Sequence, residues 1–166
     1  MNIGQWVCKR ALTHPERPFL QEEGDREYSN REFNERVNRM AHALVKLGVG
    51  RGERVAVLMG NCSEFLEIFF ACAKTGALMV PLNVRLAVPE LLYILKDCSP
   101  CALCYAAEFS AQVGELRAGL SRDHIPVCVR LGGEDSSPDP SLSGLVGDAS
   151  AGEPEPAEAV TLADPL

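Results

Sequence analysis

Beyond Arg130 this 166-residue sequence contains no lysine or arginine, although it carries eight of the 23 acidic residues there. All 16 basic residues and the other 15 acids lie in residues 1–130, a balance of +1, so the formal charge of −7 belongs to the tail. A near-neutral body with an acidic tail excludes a nucleic-acid binder, because neutralising phosphates needs clustered cations. No uninterrupted run of about 18 apolar residues occurs, so no transmembrane segment is expected. The densest stretch is broken by Glu64, Glu67 and Lys74. An export signal is also missing: Met1 to Arg10 mixes polar residues with Ile3, Trp6 and Val7 instead of placing an apolar core behind a basic flank. Seven cysteines, an odd number, then fit reduced thiols acting as small hydrophobes, and the expected location is cytoplasmic. Gly-Lys-Ser/Thr occurs nowhere, which excludes a phosphate loop of the P-loop type.

Local patterning supplies the elements. A short amphipathic start around Trp6 and Val7 stops at Thr13-His14-Pro15, since a residue before proline is pushed out of the helical region. Phe19 to Gln21 and Arg26 to Tyr28 flank a turn-like Glu22-Glu23-Gly24-Asp25 and predict a hairpin. Ser29 and Glu32 have capping-box spacing, and Phe33, Val37, Met40, Leu44 and Leu47 follow as one apolar helical stripe up to Gly48. On its wet side Glu32 to Arg36 and Glu35 to Arg39 predict i,i+4 pairs. Arg54 to Met59 predicts a strand buried on both faces. A central helix from about Cys62 to Thr75 has Glu64, Glu67 and Lys74 as its narrow polar line, with Gly76 as cap. Leu78 to Val80 predicts another buried strand, Pro89 starts a helix, and Ala102 to Tyr105 is a third core strand. A weaker helix covers Phe109 to Leu120, and Ile125 to Val129 is a fourth strand. Strands alternating with helices predict an α/β fold with a mainly parallel sheet and flanking helices. Residues 1–130 form the α/β part. Residues 131–166 read as an acidic Gly/Pro/Ser-rich connector, a linker or mobile surface segment in which Leu142, Leu145 and Val146 suggest one short helical turn.

Candidate chemistry is sparse. Gly48, Gly50 and Gly52 follow a helix and precede a strand, the reverse of a nucleotide-binding glycine loop, and fit a cap plus turn. Cys98, Cys101 and Cys104 have metal-like spacing and could recruit Cys128, but Cys101 and Cys104, three apart in a strand, would face opposite sides. His14, His42 and His124 are expected at the surface. Arg85, in Pro81-Leu82-Asn83-Val84-Arg85-Leu86 directly after a strand, stands where α/β proteins place ligand-binding loops, and also reads as a surface ion-pairing group.

The ordered set Thr13-His14-Pro15-Glu16-Arg17-Pro18-Phe19, Tyr28-Ser29-Asn30-Arg31-Glu32-Phe33-Asn34, Leu47 to Val57 and Ala73-Lys74-Thr75-Gly76-Ala77-Leu78-Met79-Val80-Pro81-Leu82-Asn83 resembles the N-terminal part of the adenylate-forming (AMP-binding) acyl-CoA synthetase superfamily, the fatty-acid and long-chain ligases most of all. The resemblance covers roughly residues 5–130. It implies an enzyme that activates a carboxylic acid with ATP and magnesium, releases pyrophosphate, and passes the acyl group to coenzyme A. In that family a Ser/Thr/Gly-rich phosphate loop follows a segment like Thr161 to Leu166, and the catalytic lysine lies further on. The expectation is therefore an N-terminal fragment, inactive alone, with no catalytic residue, no metal site and no cofactor bound by these residues themselves. Arg85 is carried over as a contact to a CoA phosphate, chemistry that suits a guanidinium. Half of a larger domain should expose apolar surface around the Phe65 to Phe70 helix, favouring self-association or pairing with a C-terminal half. A non-enzymatic module that pairs with or regulates a synthetase, and a cysteine-based metal or redox protein, are the alternative readings.

Overall fold

The computed structural model describes residues 3–22, 26–121, 124–133 and 137–155. Helix α1 spans Ile3–Thr13, and strands β1 (Pro18–Gln21) and β2 (Glu27–Ser29) pair antiparallel as the expected hairpin. The Glu23-Gly24-Asp25 turn lies outside the described residues. Helix α2 (Asn30–Lys46) begins with the capping box: Ser29 Oγ accepts from the Glu32 amide at 3.2 Å, and the Glu32 carboxylate accepts from the Ser29 amide at 2.8 Å. Gly48 (φ 89°) and Gly52 (φ 79°) adopt the left-handed conformation in the turn to β3 (Arg54–Leu58), as a cap plus turn requires. Then come α3 (Ser63–Thr75), β4 (Leu78–Pro81), α4 (Val88–Cys98), β5 (Ala102–Ala106), α5 (Ser110–Gly119), β6 (Val127–Leu131) and α6 (Leu142–Gly147).

Strands β3 to β6 form one parallel sheet in the order β4-β3-β5-β6. One face carries α2, α3 and α6, through Met40, Leu44, Ile68, Ala71 and Leu142 against Val55, Val57 and Cys104. The other face carries α4 and α5, through Leu91, Leu95, Val113 and Leu116 against Ala56, Leu58 and Leu103. Alternate residues of β3 are thus buried on both sides, the reason its sequence is apolar without alternation. A third cluster joins α1 and the hairpin to α2 and α3: Val7, Tyr28, Phe33, Val37 and Phe70 are buried, with Phe19 stacked on Phe33 at 4.2 Å.

Several expectations about α3, β4 and the cysteines need correction. First, the polar line of α3 is not wet: Glu67 and Lys74 are buried, because α2 presents polar partners to them. Arg36 reaches across to Glu67 at 2.6 Å and to Glu64 at 3.7 Å. Second, the aromatic run of α3 is covered: Phe70 is buried and Leu66 and Phe69 partly so in the cluster with α1 and the hairpin, and Phe65 is partly buried against the core on the sheet. The large apolar side chains left most open among the described residues are elsewhere, Leu12 on α1 and Tyr93 on α4. Third, β4 is a half-buried edge strand, since the described sheet ends there. Fourth, β5 begins at Ala102, so Cys101 sits in the preceding turn and packs on the same side as Cys104. It is Cys104 and Cys128 that face opposite ways, each paired in register with Val129 and Leu103 respectively.

Residues 137–155, expected as a linker or mobile segment, pack against the body at three places. Asp139 accepts from the Tyr105 hydroxyl at 2.6 Å and pairs with Arg117. Leu142 of the short helix is buried in the core. Glu153 reaches Lys74 at 2.6 Å.

Candidate functional site

Ligands in open α/β sheets bind beyond the carboxyl ends of the strands. At that end of β3 the chain turns through Gly60 and Asn61 into α3, and a cavity of about 590 Å³ opens there, lined by Leu20, Gln21, Glu22, Cys62, Ser63 and Leu66 among others. Glu22 accepts from the Ser63 amide at 2.9 Å. Hydrogen bonding from Ser63, through its side chain first and less strongly through its amide, lowers the Glu22 pKa against the opposing effect of burial. A second cavity of about 410 Å³ lies between α2, α3 and α6, with Arg36, Arg39, Glu64 and Glu67 on one wall and Leu142 and Val146 on the other.

Arg85 stands in the turn after β4, exposed, with its amide donating to Asn83 Oδ1 at 3.0 Å. It lines neither of these cavities. His14 and His124 bond to neighbours in their own turns, while His42 is half-buried and bonds through Nε2 to the Gly152 carbonyl at 3.0 Å. Among the described residues no group of three or more His, Cys, Asp or Glu stands together in a way that could hold a metal ion. Burial pushes the Cys62 thiol up to about 11 and the Cys104 thiol up to about 12, the opposite of what a reactive thiolate needs. No described helix is long and apolar enough to cross a membrane.

Sequence reasoning missed a polar cluster where α1, α2 and α3 meet. Lys74 Nζ donates to Asn34 Oδ1 at 2.8 Å, to Asn38 Oδ1 at 2.6 Å and to Glu153 Oε2 at 2.6 Å. Glu153 Oε1 accepts from the side-chain amides of Asn34 at 2.7 Å and Asn38 at 3.2 Å. Burial lowers the Lys74 pKa, and the bond and charge of Glu153 work against it. For Glu153 burial acts upward, but bonds from Lys74 and Asn34 and the Lys74 charge outweigh it, and its pKa falls below the ordinary value. The available signals were a lysine inside an otherwise apolar helix and the uncharged polar row Asn34, Asn38, His42 at intervals of four.

The topology, the carboxyl-end cavity and the helix placement invite comparison with known proteins. A family model described as AMP-binding enzyme matches residues 7–165. The chain belongs to this AMP-binding enzyme family. It is 36% identical over 118 residues to the long-chain-fatty-acid–CoA ligase FadD13 of Mycobacterium tuberculosis, covering 70% of this chain and 24% of that one. It is 38% identical over 117 residues to a feruloyl-CoA synthase of an Amycolatopsis species, again covering 70% and 24%. The crystal structure of the N-terminal domain of FACL13 from Mycobacterium tuberculosis superposes with a TM-score of 0.85 at 32% identity, over 99% of this chain and 40% of that one. The chain therefore spans about a quarter of the length of these curated relatives.

Proposed function

We propose that these residues form the N-terminal part of an AMP-forming acyl-CoA synthetase of fatty-acid type, and that the 166-residue chain alone does not catalyse. The carrying observation is the fit of nearly the whole chain to the N-terminal domain of FACL13. The complete reaction would join a carboxylate to ATP, with magnesium, release pyrophosphate, and transfer the acyl group from the adenylate to coenzyme A. Inactivity of the chain rests on chemistry. Attack at phosphorus needs a cradle of hydroxyl and amide donors and a cation around the developing charge, and this chain matches only 24% of the length of FadD13. In this reading the body binds no cofactor by itself, works in the cytoplasm, pairs with a C-terminal half, and offers Arg85 to a CoA phosphate.

Two assays test this. The isolated chain should give no carboxylate-dependent ATP–pyrophosphate exchange, and measurable exchange would overturn the inactivity. A chimera in which residues 7–155 replace the matching segment of FadD13 should form acyl-CoA. In it, Arg85→Ala should slow thioester formation at limiting CoA and leave the exchange reaction unchanged. A folded chimera without exchange would overturn the family role proposed for this segment, and equal loss of both half-reactions would overturn the role of Arg85.

A further inference from the structure

The Lys74 ammonium has three protons and three acceptors, two of which are the side-chain carbonyls of Asn34 and Asn38. An ammonium only donates, so both amide oxygens must face it, and both amide NH2 groups are thereby turned toward the third position. What stands there meets an ammonium and two amide donors, all donors, around a side chain that is 4% exposed. Only an acceptor of negative charge offsets a buried cation in such a place. Glu153 meets the requirement with one oxygen on Lys74 and the other on the two asparagines. The remaining wall is α1. A Cβ on Gly4 would lie 2.7 Å from the Lys74 amide nitrogen and 2.9 Å from its Cγ, so α1 closes directly over the lysine. Cys8, one turn on, has its thiol pKa raised by burial and next by Glu153.

We propose that the junction of α1, α2 and α3 is a carboxylate-binding site, that its ligand is Glu153 of the acidic tail, and that this contact is the lock holding residues 148–155 across α2. The flanking bonds are main-chain ones that any sequence could offer: Ala151 O accepts from Asn38 at 2.8 Å, and Gly152 O bonds to His42 at 3.0 Å. Specificity therefore rests on the carboxylate. The charged and titratable groups facing it are Lys74 from α3 and Cys8 from α1, while His42 of α2 meets the neighbouring Gly152 carbonyl. Glutamine at 153 keeps the shape but sets an NH2 against donors and leaves the ammonium without a counter-charge.

The test uses the full chain. Backbone 15N order parameters of residues 148–155, and the rate at which iodoacetamide modifies Cys8, are measured in the wild type, Glu153→Gln and Lys74→Met. Wild-type order parameters should approach the rigid value of about 0.85, and those of both variants should fall below about 0.6. Cys8 should react on the order of ten times faster in Glu153→Gln, once the strap lifts and the thiolate loses its neighbouring negative charge, and less than that in Lys74→Met, which also removes a cation that favours the thiolate. Glu153→Gln alters only the strap, so amide signals of α2 and α3 should stay in place, which separates release of the tail from unfolding. A Glu153→Gln tail as ordered as the wild type, with Cys8 reacting at the original rate, would overturn the proposal. So would an ordered tail in a folded Lys74→Met protein.

Discussion

Alanine in place of glycine should have opposite effects at two helical positions. In α5, Gly114 is exposed, and a Cβ there meets nothing within 4 Å. Gly114→Ala should gain about 1 kcal/mol, the difference in helix propensity. In α1, a Cβ on Gly4 would meet Lys74 N at 2.7 Å, Ala73 C at 2.8 Å and Lys74 Cγ at 2.9 Å. Ordinary carbon contacts lie at about 3.5–4.0 Å, so α1 must back away by roughly an ångström. Two of the three atoms belong to the α3 backbone and cannot rotate aside. The displacement also loosens Val7, which is fully buried, and the stacking of Trp6 on Phe70. Overpacking of this kind costs about 3 kcal/mol at the upper end of its usual range, and the propensity gain of about 1 kcal/mol leaves a net loss of about 2 kcal/mol. Urea unfolding followed by circular dichroism reads both. With a slope of about 2 kcal/mol per molar, the midpoint should fall by about 1 M for Gly4→Ala and rise by about 0.5 M for Gly114→Ala. If Gly4→Ala were as stable as the wild type or more so, the close approach of α1 to α3 would be refuted.

Two further predictions follow from buried groups. Arg36→Met leaves Glu67 as a buried carboxylate without its partner, and should cost about 2–3 kcal/mol at pH 7, discounted from a fully buried pair because Arg36 is 28% exposed. Burial already raises the Glu67 pKa against the effect of Arg36. A carboxyl raised in the folded state favours stability below its unfolded value and loses that as pH rises through the folded one. The deficit of the variant should therefore shrink between pH 7 and pH 5, and melts showing a constant deficit would contradict this. Separately, Cys72 and Cys104, whose thiols burial pushes upward, should stay unmodified by iodoacetamide in the native protein and react only in urea. Peptide mass spectrometry showing them labelled as fast as Cys8 would refute their burial.

The elements were legible because their signals are local. The Ser29–Glu32 box, the stripe from Phe33 to Leu47, Gly76 in the left-handed cap at φ 76° and Pro89 in the first turn of α4 each act within a few residues of themselves. The fourth strand was misplaced by two residues, Val127–Leu131 instead of Ile125 to Val129, because Pro126 lies just before the strand, where its missing N–H costs no ladder bond. Arg85 was found as a position, directly after a strand, and the structure adds only that it is exposed there.

The candidate site was less legible, since a charged residue on a helix reads as solvated until its neighbours are known. Glu67 and Lys74 read as part of the narrow polar line of α3, and His42 as a surface residue of α2. Glu67 meets Arg36, Lys74 meets Asn34 and Asn38, and His42 meets the tail, because the two helices pack side by side on one face of the sheet. The same holds for the tail. Its composition, acidic and poor in apolar groups, argues against a core of its own. Whether it is held depends on Lys74, 79 residues away in sequence from Glu153, and on Tyr105, 34 away from Asp139.

The sequence by itself determined the order and kind of the elements, the parallel sheet and the family, since caps, periodicity and ordered motifs are written along the chain. Only the tertiary structure decided which polar groups are buried and where residues 137–155 pack. A buried charge is tolerated when its partners converge in space, and convergence across 79 residues has no local signature.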